Sequence, residues 1–432
     1  MRQASDVGCR HDVDCFGAPT KATFGADKND ARARGANDVS EILLIPGPVA
    51  VSEDVLAAAA APMQNHRGPR ARALYERLYE RLREILQTSK RIVLLGSSGT
   101  GALESIVVNL FSPGDKLLSL SVGSFGDRLA AIARAYGGDV ESMSEQWGWG
   151  NDPQRLRDRL RADTAGVIKG ILITHNETST GVGNDLEALM KAKGDHPALT
   201  VVDSVSGAGA VELRTDEWRI DALATASQKA LAAPPGAAIV VLSDRAWQAA
   251  EQAKMPRFYL DLLKARKAAD DGATPWTPPV PILTALERAS DNYLKEGREA
   301  AHARHARYAS AVRAGCMAVG LTLFAQPRWY SQTVTAVRVP AGVEAKALLS
   351  RLRERYGVVV GGGQQQVEGK IFRIGNMGAL AERDLIGAMG ALELALGDLG
   401  VRVALGSASA ATARTLAGAD GSVRAATARA AM

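Results

Sequence analysis

Ala226-Ser227-Gln228-Lys229-Ala230-Leu231 closes an apolar run that begins at Ile220, and Val202-Asp203-Ser204-Val205-Ser206 closes another that begins at Leu199. Each run reads as a strand, so a lysine stands on the turn after one strand and an aspartate ends its neighbour. A lysine on a short turn cannot swing its amine freely into water, and such lysines suit imine chemistry with carbonyl compounds. An aspartate beside it has the charge to keep a heteroaromatic ring nitrogen protonated. Taken singly, either residue reads equally well as an ordinary strand cap, and the pair gains its meaning from the rest of the chain.

Working outward, strands alternate with helices. Arg91-Ile92-Val93-Leu94-Leu95 runs into Gly96-Ser97-Ser98-Gly99-Thr100-Gly101 and then an apolar-periodic helix through Leu110. A strand, a glycine-rich turn and a helix point backbone N–H groups and a helix dipole at an anion, and a phosphate suits that geometry. Ser98 and Thr100 add hydroxyls. The turn matches neither a Walker loop nor a dinucleotide fingerprint. Lys116 to Val122 is the next strand, followed by Gly123-Ser124-Phe125-Gly126, where the Phe125 ring is placed either to pack in the core or to stack on a flat ligand. Val167 to Thr174 ends in His175-Asn176-Glu177-Thr178-Ser179-Thr180-Gly181. Polar clusters at the carboxyl ends of alternating strands predict an open, mostly parallel α/β sheet with one ligand crevice beyond those ends. Ser98-Gly99-Thr100, Phe125, Thr178, Asp203 and Lys229 are expected to face it.

The 432 residues exceed what one simple core needs. Residues 1–40 lack periodicity and read as a disordered extension. Residues 41–282 read as an N-terminal arm plus the large domain. From 283 a long helix (Ile282 to Ala314) and short strands (Leu321 to Phe324, Val334 to Val339, Val358 to Val360, Ile371 to Ile374) predict a smaller α+β domain to 402. Residues 403–432 are Ala-, Gly- and Ser-rich and read as a disordered tail.

The formal charge is +5, but arginines interleave with glutamates at helical spacing, which describes a solvated helix face and argues against nucleic-acid binding. Cys9, Cys15 and Cys316 have neither metal-ligand spacing nor an even disulfide count. No run reaches membrane-spanning length, and the amino terminus lacks the apolar core of a secretion signal. The expected compartment is the cytoplasm.

Ser227-Gln228-Lys229-Ala230-Leu231 with Pro234-Pro235-Gly236, Val202-Asp203-Ser204-Val205, His175 to Gly181, Ser98 to Gly101 and Phe372-Arg373-Ile374-Gly375 resemble, in this order, the class V aminotransferases of fold type I. The alanine–glyoxylate and serine–glyoxylate group is most alike, over residues 41 to 400. The resemblance implies pyridoxal 5′-phosphate (PLP) as cofactor, held covalently by Lys229, which then moves protons. It implies Asp203 on the ring nitrogen, Val205 beneath the ring, Thr178 on the ring oxygen and Phe125 on the opposite face. Ser98, Gly99, Thr100 and Gln228 would hold the phosphate, Arg373 the substrate carboxylate, and Gly47 would line the pocket. A homodimer with shared sites follows, with Thr277 reaching the neighbouring subunit's phosphate.

The expected reaction moves an amino group from a small amino acid, alanine or serine, to glyoxylate or pyruvate by a ping-pong mechanism. The stretch Met63-Gln64-Asn65-His66-Arg67 is similar also to other class V branches, so an aminophosphonate or ureidoglycine donor stays open. A cysteine desulfurase-like lyase is a weaker alternative, because Gln228 precedes the lysine and no cysteine sits at the predicted crevice. A non-catalytic accessory subunit would need none of Lys229, Asp203 and Arg373.

Overall fold

The computed structural model describes residues 41–418. The expectations for residues 1–40 and 419–432, with Cys9 and Cys15, lie outside the described residues.

The strands are β1 (Ile42–Leu44), β2 (Ile92–Gly96), β3 (Lys116–Ser121), β4 (Asp139–Ser144), β5 (Ile168–Thr174), β6 (Asn176–Glu177), β7 (Val182–Gly183), β8 (Leu199–Asp203), β9 (Ala222–Ala226), β10 (Ala237–Leu242), β11 (Val334–Arg338), β12 (Val358–Gly362) and β13 (Ile371–Gly375). Seven form one sheet in the order β2-β10-β9-β8-β5-β3-β4. It is parallel except for β10, which runs antiparallel to both its neighbours. This is the mostly parallel α/β sheet that the sequence predicts.

Its inner strands β8, β9 and β10 are buried on both faces, as burial between two helix layers requires, while the edge strand β4 is polar and largely exposed. Ile92 and Leu94 of β2 with Ile239 and Val241 of β10 join the cluster under the helices Pro69–Leu86 and Val280–Glu296. The alternate residues, Val93, Leu95, Ala238 and Val240, join the cluster under the helices Gly99–Leu110 and Asp244–Gln252. The period of two thus builds two cores from one sheet.

A second sheet has the order β1-β12-β13-β11. Its core, centred on Leu44, Val337, Leu348, Phe372 and Leu392, is separate from the other two. Strand β1 pairs in parallel with β12, so the arm placed by sequence with the large domain supplies a strand to the smaller sheet. The long helix read from Ile282 to Ala314 is two helices, Val280–Glu296 and Arg298–Ala318, divided at Gly297, whose φ of 86° is left-handed. The strand expected over Leu321 to Phe324 is only an isolated bridge from Leu323 to Val337.

The disordered tail expected from residue 403 is corrected for its first part. Ser407–Leu416 is a helix packed on Arg298–Ala318 and Glu382–Asp398. Alanines let it lie close, Thr412 Oγ1 donates to Ala311 O at 3.2 Å, and the buried Glu393 carboxylate accepts the N–H groups of Gly406 and Ala408. An Ala-rich composition hid a helix whose N-terminus is capped from another helix. Glu393→Ala should cost about 2–3 kcal/mol, since charged hydrogen bonds are lost and the Ala408 N–H stays buried. Denaturant titration checks this, and an unchanged midpoint would remove Glu393 from that role.

Candidate active site

Parallel pairing sets Asp203, the last residue of β8, opposite Ala224 in β9, three residues before the turn that carries Lys229. Asp203 is 5% exposed, and its Oδ1 accepts the Val205 N–H at 3.0 Å. Burial raises its pKa to about 6, against the pull of that hydrogen bond and of Lys229 and Arg128. Lys229 Nζ donates to Pro46 O at 2.6 Å. Burial lowers its pKa to about 8; Asp203 opposes that shift, and Arg373 and Arg128 add to it. Gly47 has φ +131°, and a Cβ there would lie 2.5 Å from Lys229 Nζ, so the arm passes directly over the lysine.

Arg373 projects from β13 of the smaller sheet and is 7% exposed. Its Nε donates to Gly362 O at 2.8 Å and its Nη1 to Thr178 O at 3.2 Å. No carboxylate pairs with it among the described residues. Burial lowers its pKa, and the Glu177 charge raises it.

The turn after β2 opens the helix Gly99–Leu110, with Ser98 exposed at its start. Among the described residues no protein acceptor takes the N–H groups of Gly99, Thr100 or Gly101. A Cβ on Gly99 would lie 2.6 Å from Val205 Cγ2, so this turn and the segment after Asp203 are in close contact. Thr100 is half-buried, and Arg128 Nη1 approaches its Oγ1 at 3.5 Å. Phe125 sits in the first turn of the helix Ser124–Ala135, with the Arg128 guanidinium 4.8 Å from its ring centroid.

These contacts connect Gly47, Gly99, Thr100, Phe125, Thr178, Asp203, Val205, Lys229 and Arg373 in one neighbourhood beyond the carboxyl ends of the sheet. Gln228 is half-buried beside Lys229, its backbone O accepts the Val49 N–H, and its Oε1 is buried without a partner. Thr277 stands apart: it is exposed, on a segment whose Pro279 lies against Gly96. Sequence reading assigned no part to the Pro46 carbonyl, Arg128 or Glu177. The Pro46 contact is a backbone atom and leaves no trace in residue type. Arg128 follows Phe125 by three residues, the spacing of one helix face, and was legible in principle. Cys316 is buried far along the chain from these groups, and burial pushes its thiol up to about 12.

A solved structure, pyridoxamine–pyruvate aminotransferase from Mesorhizobium loti, covers 89% of this chain and 99% of its own at 31% identity and a TM-score of 0.84. The fold is that of the fold type I aminotransferases. The family described as Aminotransferase class-V matches residues 50–379, and the chain belongs to it. Curated relatives include a soluble hydrogenase 42 kDa subunit from Anabaena cylindrica, 39% identical over 83% of this chain and 94% of that one. An L-aspartate–glyoxylate aminotransferase from Paracoccus denitrificans is 38% identical over 85% and 94%. A serine–glyoxylate aminotransferase from Methylorubrum extorquens is 37% identical over 87% and 95%. The chain is an aminotransferase.

An amine attacks a carbonyl only when neutral, so addition of an aldehyde to Lys229 in the cofactor-free protein should rise with pH around a midpoint near 8. Arg373→Ala removes a positive charge and should move that midpoint upward. Borohydride trapping and mass spectrometry read the midpoint, and a value at 10.5 in the unaltered protein would contradict the buried setting of the lysine.

Proposed function

We propose that this aminotransferase uses PLP to move an amino group from alanine or serine to glyoxylate or pyruvate. The half-buried, depressed-pKa Lys229 beside the buried Asp203, facing an Arg373 without a carboxylate partner among the described residues, is the observation that carries this reading. The donor set fits the cofactor: free N–H groups at the start of Gly99–Leu110 for a phosphate, and a buried Asp203 for a protonated ring nitrogen.

When bound, PLP supplies an electron sink that makes the substrate Cα–H acidic and holds the amino group between the two half-reactions. Lys229 anchors the cofactor and, once displaced by substrate, takes the proton from Cα as a base and returns one as an acid. Asp203 holds the proton of the ring nitrogen through charge, in a site where burial strengthens the pair. Thr178 would hold the ring oxygen, and Val205 and Phe125 would pack against the ring. Ser98, Gly99, Thr100 and Gln228 bind the phosphate. Arg373 takes the substrate carboxylate in its planar fork, and Gly47 keeps the entrance wide above Lys229.

Thr277 is proposed to reach the phosphate in the second subunit of a homodimer. The exposed Phe258 and Tyr259, stacked on the half-buried Trp276 next to it, support this, because aromatic faces left in water suit an interface. The proposed compartment is the cytoplasm; among the described residues no helix is long and apolar enough to cross a membrane. A non-catalytic accessory subunit has no use for Lys229, Asp203 and Arg373 together in one crevice.

Purified protein should show a visible absorption band from bound cofactor that L-serine or L-alanine bleaches and glyoxylate or pyruvate restores. A band that neither donor touches would redirect the donor to another amine such as L-aspartate, and no band after adding PLP would remove the cofactor reading. Lys229→Ala should abolish turnover while retaining some cofactor. Arg373→Ala should raise the donor KM about 10- to 100-fold, the size expected when a charge-assisted fork is lost, with PLP affinity little changed.

A further inference from the structure

Two helices begin at the crevice, and their first turns are treated oppositely. The start of Gly99–Leu110 is left without protein acceptors. The start of Ser124–Ala135 is filled. Ser179 Oγ accepts the Ser124 N–H at 2.9 Å, and Glu177 Oε2 accepts the N–H groups of Phe125 and Gly126, each at 3.0 Å. The other oxygen, Glu177 Oε1, accepts Ser179 N at 3.1 Å and Ser179 Oγ at 2.6 Å.

Glu177 is fully buried; three of its contacts are backbone N–H donors and the fourth is the Ser179 hydroxyl, a set that favours the carboxylate, while burial raises its pKa to about 7. A Cβ on Gly123 would fall 2.5 Å from both Glu177 Cγ and Ser179 Oγ, so the helix start and the 177–179 segment are in direct contact. The residue between them, Thr178, gives its carbonyl to Arg373.

We propose that Glu177 is a positioning residue that fixes the Phe125 ring over the cofactor by occupying the N-terminus of the Ser124–Ala135 helix, leaving the Gly99–Leu110 helix as the open anion site. The backbone N–H it holds is that of Phe125 itself, so the attitude of the ring follows from the carboxylate. A second consequence is selectivity. An uncapped helix N-terminus attracts anions, and filling this one steers the cofactor phosphate to a single turn. The inference rests on the PLP reading above.

The test is a double-mutant cycle on equilibrium PLP binding by the cofactor-free protein, with Glu177→Gln, Phe125→Leu and the double variant. A glutamine keeps the shape but turns an amide NH2 toward backbone donors. Each single variant should weaken PLP binding about 5- to 10-fold, the worth of one aromatic contact. The double variant should bind within about two-fold of Phe125→Leu alone, because the carboxylate acts through the ring. The visible circular dichroism of bound PLP should change in Glu177→Gln while the far-ultraviolet spectrum does not.

Wild-type affinity in Glu177→Gln, or losses that multiply in the double variant, would overturn the proposal. So would a Phe125→Leu variant that binds PLP like wild type, since the ring would then not be the part positioned. If the wild-type protein takes up no PLP at all, the functional reading fails first, and the two failures are told apart. Should Glu177→Gln not fold, Ser179→Ala removes the hydroxyl that links Ser124 N to Glu177 and must show the same dependence on Phe125.

Discussion

Everything at the crevice depends on one amine kept out of water. Lys229 is half-buried where Asp203 supplies the negative charge and two arginines supply positive charge, so neither its protonated nor its neutral form is far out of reach near pH 8. Losing a water shell costs an ammonium more than a neutral amine, and here that cost exceeds the attraction of Asp203. The same burial works on Asp203 in the opposite direction, raising its pKa. Parallel register between β8 and β9 sets Asp203 beside the strand whose following turn carries Lys229.

The helix starts show a division of labour within one architecture. Both helices follow strands of the same sheet and carry the same partial positive charge at their first turns. One is neutralised from inside by a carboxylate, and the other stays available. The cost of burying Glu177 is offset by four donors already fixed in place.

Much of this was legible in the residues. Apolar runs ending in small and polar side chains marked the large sheet, and its crevice groups appear where strand ends predict them. What failed had physical causes. A single glycine, Gly297, interrupts a helix whose composition gives no other sign of a break, and Ser407–Leu416 draws its cap from Glu393, which belongs to a different helix. Strand β1 was read with the domain it adjoins in sequence, because three apolar residues cannot declare which sheet they join. Glu177 lay inside a quoted motif, yet its role is set by backbone donors more than fifty residues away.

The path of the arm has a mechanical meaning. Residues 42–44 are stitched into the smaller sheet, Pro46 O holds the lysine, Val49 N binds Gln228 O, and Ala50 bridges Gly378. Only Ile45 lies between the stitched strand and the carbonyl on Lys229, and one extended residue spans about 3.5 Å. The arm therefore has almost no slack. The smaller sheet, which also carries Arg373, cannot swing away from the larger one by more than a few ångströms before it tugs on the lysine's hydrogen bond or pulls β1 from β12. Displacement of the sheet that carries Arg373 is thus transmitted, through this short tether, to the Lys229 amine.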